Sequence, residues 1–167
     1  MGDFFGIMRY MMKTILGVII SIILAQMAGA IGSVFTISSI QTWYVYLEKP
    51  FFSPPNWLFA PAWITLYTLM GIAAFLVWQK RQESRAKSAL WLYLIHLVLN
   101  SLWSVIFFGL QNPAWAFFEI LILWVLIVIV AWKFYKIIII AGILFIPYII
   151  WVTFASILNF TIWQLNV

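Results

Sequence analysis

The sequence predicts an all-α membrane protein, a bundle of five transmembrane helices with a long ordered loop between helices 1 and 2. Hydrophobic residues form 66% of the 167-residue chain and charged residues only 8%, where a soluble domain has roughly 25% charged residues. Five apolar stretches, free of lysine and arginine, are long enough to cross a bilayer. The basic residues between them fall almost entirely on one side, as expected of a membrane topology.

The five spans follow from the need for about 20 mostly apolar residues in each crossing helix. Asn112 and Pro113 predict the start of the fourth span, as a side-chain cap followed by a proline in the first turn. Pro147 lies inside the last apolar run and predicts a kink. The length favours a single domain, residues 1–167, with spans at approximately residues 14–34, 57–78, 89–110, 115–132 and 137–163.

The charge distribution predicts the orientation. With five spans, Lys49 is the only basic residue on the C-terminal side of the membrane. The positive-inside rule therefore places the N-terminus in the cytoplasm of a bacterial plasma membrane. A net charge of +5 spread over short connectors does not form a surface that follows phosphates, so no nucleic-acid partner is expected. The other eight basic residues lie on the N-terminal side: Arg9, Lys13, Lys80, Arg81, Arg85, Lys87, Lys133 and Lys136.

Familiar catalytic and metal-binding patterns do not occur in the sequence. The chain has no cysteine and a single histidine, His96, whereas common transition-metal sites need several nitrogen or sulfur ligands. There is no glycine-rich phosphate loop and no nucleophile motif. We therefore expect no metal, no required cofactor and no conventional catalytic residue.

The first span has two interpretations. Arg9, Lys13, an apolar stretch and the small residues 28–30 resemble a cleaved signal peptide. Small residues at every fourth position instead predict a helix that stays and packs closely, either within the chain or in a homodimer. These residues are Gly17, Ser21, Ala25, Gly29 and Ser33.

Polar and aromatic residues inside the spans are the candidate binding groups. Most of the 11 tryptophans lie near span ends and fit an interfacial aromatic belt. Polar side chains within a span have to point into the bundle, either as interhelical hydrogen bonds or as the lining of a cavity. The tryptophans that lie deeper are Trp63, Trp103, Trp124 and Trp151. Two helix faces stand out by their spacing: His96, Asn100, Trp103 and Phe107 on the third span, and Tyr148, Trp151, Ala155 and Asn159 on the fifth.

Two further features remain open from the residues alone. The connector from about residue 35 to 56 contains three prolines and the aromatic residues Trp43, Tyr44, Tyr46, Phe51 and Phe52, which favour order. It either covers a cavity between the helices, with Trp43 contributing to binding, or lies in the headgroup layer. Glu119, the only acidic residue inside a span, is interpreted as structural, charged near the helix N-terminus or bonded to a neighbouring helix.

The sequence resembles the tryptophan-rich sensory protein or translocator protein family (peripheral-type benzodiazepine receptors) over nearly its whole length. The resemblance rests on Trp43-Tyr44, Leu47-x-Lys49-Pro50, Pro54-Pro55-x-Trp57, Pro61-x-Trp63-x-x-Leu66-Tyr67-x-x-Met70-Gly71, Leu99-Asn100-x-x-Trp103, Phe107-Phe108-Gly109, Pro147-Tyr148-x-x-Trp151 and Leu158-Asn159.

The resemblance implies a five-helix bundle that binds porphyrins such as protoporphyrin IX or haem, and in many members sterols and isoquinoline carboxamides. By this likeness Trp63, Asn100, Trp103, Trp151 and Ala155 correspond to residues that line the pocket. Some bacterial members degrade protoporphyrin IX in light, which would give Trp63 and Trp151 a catalytic role. Together with the two helix faces and the connector, the predicted ligand-binding residues are Trp43, Trp63, His96, Asn100, Trp103, Phe107, Tyr148, Trp151 and Ala155.

Three features of the sequence depart from the family pattern. His96 stands where members often have glutamine, which keeps a hydrogen-bonding group and adds a nitrogen that can titrate. Trp91 and Ile95 replace a pair of small residues, which argues against a dimer through that face. Phe160 and Gln164 replace the tyrosine and basic residue of the sterol motif in animal members, which weakens the case for sterol binding.

Four functions are compatible with these observations. The first is a membrane receptor or sensor that binds tetrapyrroles. The second is a transporter of porphyrins or similar lipophilic molecules, although five spans offer no internal duplication. The third is a light-dependent enzyme that degrades porphyrin, with chemistry supplied by the excited pigment and oxygen. The fourth is a structural role. Relatives also occur in bacterial and mitochondrial outer membranes, which leaves those locations as alternatives.

Overall fold

The computed structural model describes the backbone of residues 2–167 and the side chains of residues 5–167. In this part of the chain, five helical segments are long and apolar enough to cross a membrane, which confirms the predicted fold class. The elements are α1 (Gly2–Ile40), short 3-10 turns at Tyr44–Tyr46 and Asn56–Leu58, α2 (Phe59–Trp78), α3 (Ser84–Ser104) with a π-helical end (Val105–Gly109), α4 (Pro113–Ile137), α5 (Ile139–Ile143) and α6 (Ile146–Leu165).

Helix α1 continues beyond the predicted end of the first span. Residues 35–40 are helical, so the connector begins at about residue 41 rather than 35. The polar residues here do not end the helix because their hydroxyls bond back to carbonyls of the preceding turn. Thr36 Oγ1 donates to the Gly32 oxygen at 3.1 Å and Ser38 Oγ to the Phe35 oxygen at 2.9 Å.

Small residues bring α1 and α2 together within the chain. An added Cβ on Gly71 of α2 would lie 2.6 Å from the Ile22 Cα of α1. Side chains of α2 in turn lie directly over glycines of α1, with Phe75 over Gly17 and Tyr67 over Gly29. The stripe of small residues on α1 therefore serves this close helix contact.

The connection between α3 and α4 is tight and capped. Gln111 adopts a left-handed backbone conformation with φ of 51°. Asn112 then caps α4, with its Oδ1 accepting a hydrogen bond from the Trp115 N–H at 3.0 Å. Pro113 lies in the first turn of α4, so the predicted start signal of this helix is confirmed.

The last span is broken, and the fourth is longer than predicted. Helix α4 runs to Ile137, so residues 133–136, which were expected to form a connector, are helical, and the turn is a single extended residue, Ile138. The chain then forms α5, turns at Leu144 and Phe145, and begins α6 one residue before Pro147. Because proline lacks the N–H needed to continue a helix, the break lies where the kink was predicted.

Candidate ligand cavity

A cavity of about 540 Å³ lies between α1, α2, the end of α3 and α6. Its volume is within the roughly 300–1,000 Å³ typical of small-molecule sites. Eight of the described lining residues carry aromatic rings. The lining includes Phe59, Trp63 and Tyr67 from α2, Trp103 and Phe107 from the end of α3, and Trp151 from α6.

Six of the nine predicted ligand-binding residues line this cavity. The third span contributes three of them and α6 contributes two, each set at helical spacing along its own helix. The sixth is the indole of α2. Trp43, His96 and Tyr148 do not line it. Trp43 packs edge-on against Phe107 from outside, with ring centroids 5.6 Å apart. The six residues at the cavity are Trp63, Asn100, Trp103, Phe107, Trp151 and Ala155.

His96 and Tyr148 belong to a polar network behind the cavity wall. Asn100 accepts a hydrogen bond from the Tyr67 hydroxyl and donates one from Nδ2 to the Tyr148 oxygen at 2.7 Å. His96 Nδ1 lies 3.1 Å from the Tyr93 carbonyl, which can only accept, so Nδ1 carries the proton. In the neutral ring, Nε2 then accepts from the Tyr148 hydroxyl 3.1 Å away. Each link has one donor and one acceptor.

This network joins three spans and satisfies polar groups that are costly in lipid. Tyr67 comes from α2, Asn100 and His96 from α3, and Tyr148 from α6. His96 and Tyr148 are fully buried. The sequence left two roles open for these polar residues, an interhelical hydrogen bond or the lining of a cavity. In the structure His96 has the first role only, and Asn100 has both.

Trp103 is held in place from two sides. Its Nε1 donates to Asn159 Oδ1 at 3.0 Å, and Asn159 Nδ2 donates to the Pro113 carbonyl at 2.8 Å. Its ring stacks on Phe107 with centroids 5.0 Å apart. The π-helical turn at Val105–Gly109 buries Phe107 and Phe108 together, and π-helical turns are frequent at functional sites. The indole is thus a fixed wall of the cavity.

Several lining residues were not among the predicted binding residues. Tyr67 lies one turn after Trp63, and the two rings stack at 5.4 Å, so its spacing was an available signal. Gln26 is the only amide side chain in the first span, and its Nε2 donates to the Ile64 carbonyl at 2.9 Å. The small residues of α1 were interpreted as a packing stripe or as part of a cleaved signal peptide, and not as a cavity wall. Gly29, Ala30 and Ser33 also line the cavity.

The connector closes one end of the cavity. Tyr44 is buried against Phe107 and Phe108 and lines the cavity. Burial raises the pKa of the Tyr44 hydroxyl, so this hydroxyl stays protonated at neutral pH. The Lys49 ammonium lies 4.6 Å from the centroid of the Tyr44 ring. The sequence left the connector either over the cavity or in the headgroup layer, and the structure favours the position over the cavity. The connector is therefore a cover of the cavity.

Asn166, at the end of α6, holds the connector in place by hydrogen bonds. Asn166 Oδ1 accepts from the Glu48 N–H at 3.0 Å, and Asn166 Nδ2 donates to the Glu48 carbonyl at 2.9 Å. The same Nδ2 also donates to the Ile162 carbonyl within the last turn of α6. The side chain of Asn166 therefore pairs with the connector backbone as a neighbouring strand would.

The remaining candidate residues lie away from the cavity. Trp124 Nε1 donates to Thr153 Oγ1 at 2.8 Å, which makes Trp124 a contact between α4 and α6. Glu119 is buried on α4, and neither carboxyl oxygen has a hydrogen-bond partner in the described part of the chain. Of the two alternatives for this residue, the bond to a neighbouring helix is therefore absent there. Among the described residues, no three His, Cys, Asp or Glu side chains form a group able to hold a metal ion.

The fold and the site define an integral, multi-pass membrane protein with a ligand-sized aromatic cavity inside its helical bundle. The profile of the TspO/MBR family matches residues 20–164. The chain belongs to the TspO/MBR family.

Relatives from archaea, bacteria and animals cover most of the chain. A tryptophan-rich protein TspO of Archaeoglobus fulgidus is 44% identical over 157 residues, covering 91% of this chain and 98% of the relative. The tryptophan-rich sensory protein of Cereibacter sphaeroides is 37% identical, covering 83% and 85%. The translocator protein of Bos taurus is 33% identical, covering 86% of each. These matches confirm the resemblance drawn from the sequence motifs.

Proposed function

We propose that this protein is a membrane receptor or sensor that binds protoporphyrin IX, or a closely similar tetrapyrrole, in the cavity between α1, α2, α3 and α6. The observation that carries the proposal is the set of indole rings from three helices around one cavity: Trp63, Trp103 and Trp151. Flat apolar ligands gain dispersion and stacking energy from aromatic walls. The names of its relatives, which include a sensory protein, support a sensing role.

The polar groups of the cavity suit an uncharged ring better than a buried charge. Within residues 5–167, no Lys, Arg, Asp or Glu side chain contributes to its lining. Isolated carboxylates are costly to bury without a partner. The two carboxylates of protoporphyrin IX would therefore lie at the edge of the cavity beside Asn56, which is exposed, while the macrocycle lies between the indoles.

Sterols and isoquinoline carboxamides are proposed as competitors for the same apolar cavity. For sterols this rests only on volume and apolarity, since Phe160 and Gln164 depart from the animal sterol motif. The membrane orientation proposed is N-terminus in the cytoplasm, because eight of the nine basic residues lie on that side. A bacterial plasma membrane fits this orientation best.

The test is a titration of the purified protein with protoporphyrin IX in the dark, measured by the absorbance and fluorescence of the porphyrin. We expect saturable binding at one site, weakened by Trp63→Phe and by Trp151→Phe. Trp132→Phe is the matched control, because Trp132 is exposed and lies outside the cavity. Porphyrin that partitions without saturation, or equal weakening by all three variants, would reject the proposal.

Light-dependent degradation of the bound porphyrin is the second candidate function. It is favoured by the position of Trp63 and Trp151 at one cavity, since both indoles would lie close to an excited pigment. Illumination of the saturated complex in air should then give a new product spectrum that depends on both tryptophans. If the bound porphyrin only bleaches, at the same rate as free porphyrin, the degradation function is rejected and only the receptor function remains.

A further inference from the structure

A second pocket lies at the opposite end of the bundle, where α2 ends and α3 begins. Its volume is about 340 Å³. The wall contains two cationic side chains, Arg81 and Lys87, and two indoles, Trp78 and Trp91. The residues that line it are all different from those that line the aromatic cavity.

The cations of this pocket are available to an anion. Among the described side chains, residues 5–167, the one ion pair joins Arg85 to Glu83. That pair occupies the only carboxylate of the connection between α2 and α3. Lys87 has no hydrogen-bond or ion-pair partner in the same part of the chain. A bound anion would therefore meet charges that no acidic side chain of these residues neutralises.

Arg81 is held in position before any ligand arrives. Its guanidinium carbon lies 3.7 Å from the centroid of the Trp78 ring. Its Nη1 also donates to the Trp78 carbonyl at 3.3 Å. Stacking on an indole fixes the guanidinium plane and leaves its remaining N–H groups free for phosphate oxygens. Less side-chain entropy is then lost on binding.

Along α3 the wall of the pocket changes from charged to apolar, as a phospholipid does from its headgroup to its acyl chains. Lys87, Leu90, Trp91 and Leu94 follow each other at spacings of three, one and three residues, so they share one helix face. This face begins with a cation at the membrane surface, passes an indole and continues into leucines. Leu94 and Trp91 are exposed to the surroundings of the bundle. An acyl chain fits the leucines while a phosphate lies against Lys87 and Arg81.

We propose that this pocket binds one glycerophospholipid with an anionic headgroup, such as phosphatidylglycerol. Basic pockets between transmembrane helices recognise such headgroups by charge, and indoles lie at the level of the glycerol. The site is independent of the aromatic cavity, so it adds to the proposed function and does not rest on it.

The test uses the full-length protein, delipidated in dodecyl maltoside and mixed with dioleoylphosphatidylglycerol. Native mass spectrometry measures the fraction of protein that carries one lipid. The double variant Arg81→Gln, Lys87→Gln should bind this lipid about 25-fold more weakly, because each cation near an anionic headgroup contributes about fivefold. Each single variant, Arg81→Gln or Lys87→Gln, should lose about fivefold on the same basis, and it serves if the double variant does not fold.

The matched control is Lys133→Gln, Lys136→Gln at the end of α4. It removes the same charge on the same side of the bundle, and Lys136 also lies near an indole, 5.9 Å from the Trp132 centroid. We expect it to bind the lipid like the natural chain. Equal losses in both double variants would show a general charge effect and overturn the site, and so would unchanged binding by Arg81→Gln, Lys87→Gln.

Two further probes distinguish a phospholipid site from a site for any anion or any lipid. Dioleoylphosphatidylcholine, which has no net charge, should bind much more weakly than the phosphatidylglycerol. Inorganic phosphate at the same concentration should not displace the bound lipid, because it lacks the acyl chains. Equal binding of both lipids, or displacement by inorganic phosphate, would overturn the proposal. Protoporphyrin binding should be unchanged in Arg81→Gln, Lys87→Gln, which keeps the two sites distinguishable.

Discussion

Asn100 Nδ2 donates a hydrogen bond to the Tyr148 oxygen at 2.7 Å and so joins α3 to α6 behind the wall of the cavity. Asn100 itself lines the cavity, whereas Tyr148 is fully buried behind it. Asn100, which lines the cavity, is thus oriented by a hydrogen bond to Tyr148, which does not line it. The shape of the cavity depends on hydrogen bonds outside it.

Removal of the Tyr148 hydroxyl should destabilise the bundle. Tyr148→Phe leaves Asn100 Nδ2 and His96 Nε2 without their partner, and a buried group left unsatisfied costs about 1–3 kcal/mol. Thermal unfolding in detergent measures the effect. The control is Tyr135→Phe, whose ring is exposed on α4. Equal melting temperatures for the two variants would contradict the structural role of the network.

Replacement of His96 should separate its hydrogen bond from its ring. His96→Gln retains an acceptor for the Tyr148 hydroxyl, whereas His96→Leu fills the space without one. We expect His96→Leu to lose about 1–3 kcal/mol of stability and His96→Gln clearly less. Thermal unfolding of the two variants side by side gives the comparison. A glutamine variant as unstable as the leucine variant would show that the ring, and not the acceptor, matters.

The contact between α1 and α2 should not tolerate a side chain at Gly71. In Gly71→Ala the new Cβ would lie 2.6 Å from the Ile22 Cα, so the two helices have to separate. We expect a loss of about 1–3 kcal/mol, typical of overpacking. Gly6→Ala is the control, since a Cβ there meets no atom of the described residues within 4 Å. The two alanine variants unfolding at one temperature would refute the close approach.

Asn166 should keep the connector closed over the cavity. Asn166→Ala removes both hydrogen bonds to Glu48, so hydrogen exchange at the Glu48 amide should accelerate. If the cavity binds porphyrin as proposed, dissociation should also become several-fold faster, because the cover opens more often. Gln164→Ala, an exposed position on the same helix, is the control. Unchanged exchange at Glu48 would exclude this fastening role whatever the ligand does.

The span count and the aromatic faces were predictable because lipid imposes simple rules. Each crossing needs a long apolar run, and helical spacing alone places Asn100, Trp103 and Phe107 on one face. The start of α4 was also predictable from Asn112 and Pro113, since capping depends on neighbouring residues only.

Other features depend on tertiary contacts or on competing local effects. Thr36 and Ser38 are polar like a connector, yet their hydroxyls bond within α1 and the helix continues. Lys133 and Lys136 were interpreted as a connector because of their charge, but lysines are compatible with the last turns of a helix near the membrane surface. The sequence placed His96 inside the bundle, and only the position of Tyr148 shows that it lies behind the cavity rather than at it.

Filling the aromatic cavity with a larger side chain tests most directly whether the cavity holds the porphyrin. Ala155 lines the cavity on α6, so Ala155→Trp would occupy the space that the ligand needs. Ile157→Trp is the matched control, since Ile157 is exposed on the same helix. In a dark titration with protoporphyrin IX, Ala155→Trp should lose saturable binding while Ile157→Trp binds like the natural chain. Saturable binding of equal affinity in both variants would contradict the claim.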